Sequence, residues 1–66
     1  MTRFNNGDLV AAIKDIGGFA REFVPRGSEG VVVDAPMWGD AVVLFTVKGF
    51  LSDKKVRITI SDDEVR

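Results

Sequence analysis

Val24-Pro25-Arg26-Gly27-Ser28-Glu29-Gly30-Val31-Val32-Val33-Asp34 carries the strongest structural signal in the chain. Proline and glycine punctuate its first half as a turn. Gly30 then opens a run of β-branched valines, which favour a pleated strand. The rest of the sequence reads as a set of partners for that strand. At 66 residues, it has room for a single domain spanning residues 1–66. A chain this short buries only about 60% of its unfolded surface, so its apolar residues must be used efficiently or shared with a partner.

Outward from that stretch, the next apolar run is Ala41-Val42-Val43-Leu44-Phe45-Thr46-Val47. Ala41, Val43, Phe45 and Val47 form its inward face, which leaves Val42 and Leu44 outward. Pro36-Met37-Trp38-Gly39-Asp40 connects the two strands, with proline ending one ladder and glycine easing the turn. Val56-Arg57-Ile58-Thr59-Ile60 alternates strictly and is the clearest half-buried strand. A turn over residues 49–55, carrying Phe50 and Leu51, precedes it.

Near the N-terminus, Asn5-Asn6-Gly7-Asp8 is a turn signal, and Leu9-Val10-Ala11-Ala12-Ile13 reads as the first strand. Gly17-Gly18 stops any helix there. Residues 16–28 are irregular. Their Phe19 and Phe23 either plug one end of the fold or serve a partner, the plug being the plainer expectation. Ser61-Asp62-Asp63-Glu64 matches the Ser-x-x-Glu capping spacing, so a single 3₁₀ or α turn follows. Val65 then closes the fold beside the first strand. The expectation is an all-β domain of about five short antiparallel strands.

Composition narrows the functions available. The sequence has no histidine, cysteine or tyrosine, so the commonest general base, the usual thiol nucleophile and most transition-metal ligands are missing. Ser28, Ser52 and Ser61 stand beside turns or at a cap, where backbone hydrogen bonding explains them. Asp62-Asp63-Glu64 lacks the spacing of a calcium loop. Gly27-Ser28-Glu29-Gly30 lacks the Gly-Lys-Ser/Thr of a phosphate loop. These readings point to no enzyme, no cofactor, no small-molecule substrate and no metal. Net charge is −1, which disfavours a phosphate-binding face. The absence of cysteine and of an apolar leader fits a cytoplasmic protein, and no run is long enough to span a bilayer.

Gly7-Asp8-x-Val10, Pro25-x-Gly27-x-x-Gly30-x-Val32, Val43-x-Phe45 and Val56-x-Ile58-x-Ile60 before Ser61-Asp62-Asp63-Glu64 occur in an order that resembles the small bacterial SH3-like and KOW-like barrels. That group includes photosystem I reaction-centre subunit IV, the barrel domain of the nitrile hydratase β subunit and many stand-alone proteins. The resemblance runs from Gly7 to Val65 and implies an SH3-like barrel, while its motifs are nearly silent on function. One relative is an enzyme: the type II dihydrofolate reductases, whose signature strand reads Val-Gln-Ile-Tyr. Val56-Arg57-Ile58-Thr59 matches the two barrel-facing positions but not the two that contact substrate, so a pore-type reductase is the least favoured reading.

Two binding readings compete. The first is a non-enzymatic protein-interaction or accessory module. It would use Trp38, Phe19, Phe23, Val42 and Leu44, and would bind a protein partner or a second copy through the outer face of the second and third strands. Val31-Val32-Val33 cannot all face one small core, so the surplus needs cover, from the loop at residues 16–27 or from another copy. Trp38, the single tryptophan, either folds over the end as core or lines a ligand groove. The second reading is a nucleic-acid-binding KOW-like barrel using Arg26, Lys54, Lys55 and Arg57.

Overall fold

A computed structural model describes residues 3–66, so the first two residues of the N-terminal stretch lie outside it. Four strands form: β1 (Leu9–Ala11), β2 (Glu29–Asp34), β3 (Ala41–Val47) and β4 (Lys54–Ile60), followed by a 3₁₀ turn at Asp62–Glu64. They make one antiparallel sheet in chain order, β1-β2-β3-β4. The expected fifth strand is not formed. The 3₁₀ turn holds the chain as far as Glu64, so pairing beyond β1 is limited to an isolated bridge between Val65 and Ala12, with the Ile13 N–H donating to the Glu64 carbonyl at 3.0 Å. On its other side Ala11 and Arg66 exchange two backbone hydrogen bonds, Ala11 N–H to the Arg66 carbonyl at 2.8 Å and Arg66 N–H to the Ala11 carbonyl at 3.0 Å.

The core follows the period of two that strands impose. Val56, Ile58 and Ile60 of β4 are buried, as are Ala41, Val43 and Phe45 of β3, while Arg57, Thr59, Val42 and Leu44 take the opposite face. Val47, expected inward, is only half-buried against the core. Of the three valines in β2, only Val32 is buried. Val31 faces outward and Val33 sits in a bulge, where the register with β3 shifts between Val32 and Asp34. Gly30 pairs with Phe45 on the inner face. The absence of a side chain there lets the Phe45 ring lie against the β2 backbone, and Phe45 is fully buried as a result.

The long connection between β1 and β2 is a small hairpin in its own right. Ile16 and Val24 bridge each other with reciprocal N–H···O bonds of 2.8 Å, and both side chains are fully buried. Gly17 takes a positive φ of +75°, and a Cβ there would sit 2.4 Å from the Glu22 carbonyl oxygen. This corrects the expectation that Phe19 and Phe23 plug the fold. Phe23 neighbours the inward Val24 and so points away, half-exposed, while Phe19 at the hairpin tip is fully exposed. Ile16 and Val24 fill that space instead.

This hairpin lies along β4 and not over the outer face of the sheet. Arg21 donates to both carboxylate oxygens of Glu64, at 3.0 and 2.8 Å, and to the Thr59 carbonyl at 2.8 Å. Glu22 pairs with Lys54 at the other end of the strand. An open strand edge invites unwanted pairing, and these contacts occupy it. Glu64 also accepts from the Ser61 N–H at 2.8 Å, the capping contact expected from Ser-x-x-Glu. No helix among the described residues is long and apolar enough to cross a membrane.

Candidate interaction surface

Register decides what the outer face presents. Leu9 pairs with Val31, Val31 with Leu44 and Leu44 with Arg57, so these four stand in one row across the sheet. The adjacent row is Ala11, Glu29, Thr46 and Lys55. The three apolar members of the first row floor a groove of about 370 Å³, rimmed by Glu29, Lys48 and Lys55. Leu9 is 85% exposed, so nothing among the described residues covers its end of the row. Val31 and Leu44 are half-buried. Val42 continues the apolar strip on β3, beside the bulged Val33.

The expected binding residues fall in separate places. Leu44 lines the groove and Val42 lies one pair further along β3. Trp38 is 80% exposed on the connection between β2 and β3, which corrects the alternative that it folds over the end as core. Gly39, next to it in that connection, takes a φ of +103°. Phe19 and Phe23 belong to the hairpin beside β4. None of these three aromatics lines the groove.

The basic residues fall in two places, Lys54, Lys55 and Arg57 on β4 and Arg26 apart from them. Lys54 is paired with Glu22, and Lys55 donates to Thr46 Oγ1 at 2.6 Å. Arg57 ends the apolar row on β4. Arg26 lies beside Ala11, Ala12 and Ile13, at the β1 side of the sheet, with the acidic Glu29 on the strand between. Among the described residues, no continuous cationic track joins Arg26 to the basic residues of β4.

Sequence reasoning missed Leu9 and Val31 as members of one row. The signal was available for Leu9, since Val10 as an inward residue forces both neighbours outward. It was not available for the row itself, which depends on register. Phe50 and Leu51, in the turn between β3 and β4, are also almost fully exposed.

Arg21 and Glu64 form an ion pair across the fold. The Arg21 guanidinium hydrogen-bonded to Glu64 holds that carboxyl below the usual range, and the same bond raises Arg21. This pair fastens the hairpin to the 3₁₀ turn and lies away from the groove. Among the described residues no buried polar or charged side chain occurs, and no three acidic residues converge as a metal site would require. No family model matches this sequence, and no curated protein or solved structure matches it either.

Proposed function

We propose that the protein is a non-enzymatic interaction module of the SH3-like type, which associates with a second copy of itself through the outer face of β2 and β3. The observation that carries this reading is the uncovered row Leu9, Val31 and Leu44. A sheet apolar on both faces is normally covered on both. The hairpin that could have covered the outer face is instead bonded along β4. The barrel reading is supported by the Ala11–Arg66 backbone pair, which stands where a fifth strand would complete the cylinder. Small domains gain by sharing a core in this way, because one copy alone buries so little.

Sedimentation velocity over a wide concentration range tests the proposal. Wild type is expected to pass from monomer to dimer, and Leu44→Asp to remain monomeric with its thermal melt nearly unchanged. Leu9→Ser, at a side chain that is almost fully exposed, serves as a second variant and is expected to weaken dimerisation. A wild type that stays monomeric at every concentration would refute self-association.

The nucleic-acid reading gains no support from the arrangement, because Lys54 is paired with Glu22, Arg26 is remote from Arg57 and the acidic Glu29 lies between Arg26 and the basic residues of β4.

A further inference from the structure

The outer face is electrically asymmetric. β2 carries Glu29 and Asp34 outward and β4 carries Lys55 and Arg57, while β3 between them presents Val42, Leu44 and Thr46, with Lys48 just past its end paired to Asp53. Among the described residues, none of Glu29, Asp34, Lys55 and Arg57 takes part in an ion pair, whereas Lys14, Arg21, Lys48 and Lys54 all do. Glu29 and Lys55 flank Thr46 in one row, two strand spacings or about 10 Å apart, and they do not pair within one copy. An acidic strand and a basic strand on either side of a neutral one form a self-complementary pattern.

Resting on the self-association proposed above, we infer that the second copy docks face to face about a twofold axis running parallel to the strands over β3, so that Glu29 of each copy meets Lys55 of the other.

This axis exchanges β2 of one copy with β4 of the other while keeping the rows level. Leu44 then packs on Leu44, and Val31 lies under the aliphatic stem of Arg57. The two Glu29–Lys55 contacts close the interface at the Thr46 row. The other in-plane axis, perpendicular to the strands, sets β2 on β2 and β4 on β4. It stacks Arg57 on Arg57 and brings Glu29 towards Asp34, so like charges meet at both edges. Juxtaposed like charges cost far more than a rim ion pair gains, and the charge pattern therefore selects the first axis.

Charge reversal tests the register. Glu29 and Lys55 are both exposed, so Glu29→Lys and Lys55→Glu are expected to fold as wild type does. Each alone sets like charges against each other twice per dimer and is expected to weaken dimerisation by at least about tenfold in sedimentation equilibrium at low salt. The double variant Glu29→Lys/Lys55→Glu restores both pairs and is expected to return to within about threefold of wild type. Single variants that dimerise as tightly as wild type, or a double variant as weak as the singles, would overturn the register while leaving self-association standing. A monomeric wild type would overturn both.

Discussion

A methyl group added at Gly30 would lie 2.6 Å from Val43 Cγ1, 2.9 Å from Phe45 Cδ1 and 3.0 Å from the Leu44 carbonyl oxygen. All three atoms belong to β3, and Phe45 and Val43 are fully buried. Neither side chain can swing aside without displacing Val56 or Ile58, its partners on β4. Overpacking of this kind costs about 1–3 kcal/mol. Against it stands the smaller entropy of an unfolded chain with alanine, which returns about 0.5–1 kcal/mol. The clash wins, because part of it is against backbone, and Gly30→Ala is expected to lose about 1–2 kcal/mol net. In a domain of this size that lowers Tm by roughly 4–15 °C. Circular dichroism melts and urea titrations of both proteins measure it. Gly30→Val should be worse, since its branches enter the volume of the Phe45 ring. An alanine variant as stable as wild type would show that Phe45 does not lie over Gly30, and the inner-face register of β2 against β3 would have to be redrawn.

Glu64→Gln removes the charge that receives Arg21 and is expected to cost about 1–2 kcal/mol near neutral pH, a figure already discounted for the half-exposed Arg21. Because the folded state holds the Glu64 carboxyl below its unfolded value, this stabilisation is present above about pH 4.3 and is lost as pH falls through the folded value. Urea midpoints of wild type should therefore decline in acid more steeply than those of the variant, and parallel pH profiles would refute the assignment. Val24-Pro25-Arg26-Gly27-Ser28 coincides with a thrombin recognition sequence, yet Val24 is buried, Arg26 N–H is bonded to Asp15 and Gly27 N–H to the Ala12 carbonyl. Prolonged thrombin digestion should leave the chain intact by mass spectrometry, and cleavage after Arg26 would mean that the hairpin opens. Trp38 emission should already resemble solvated indole in the native state and shift little on unfolding, while Trp38→Ala should alter stability by less than about 0.5 kcal/mol. A blue-shifted native spectrum would place the indole against apolar surface.

Local pattern made much of this fold legible. The alternation of Val56, Ile58 and Ile60, the inward set Ala41, Val43 and Phe45, and the Ser61–Glu64 contact depend on residues a few positions apart. Backbone periodicity and capping act at that range. The candidate surface was legible only in part. Val42, Leu44 and the surplus valines announced an apolar outer face, but not its extent or what lay beside it.

By itself the sequence determined that the chain is all-β, where its strands fall, and that its apolar residues exceed what one face of a small sheet can use. The tertiary structure alone decided which residues share that surplus. Leu9, Val31, Leu44 and Arg57 are far apart in the chain, and cross-strand register sets them in one row. The bulge at Val33 shifts that register by one residue, a change no periodicity announces. The same holds for Arg21 and Glu64, whose pairing across the fold draws the hairpin along β4 and leaves the outer face uncovered. Period is a property of neighbouring residues, whereas register and docking arise from contacts between distant ones, and it is these that decide which surface remains for a partner.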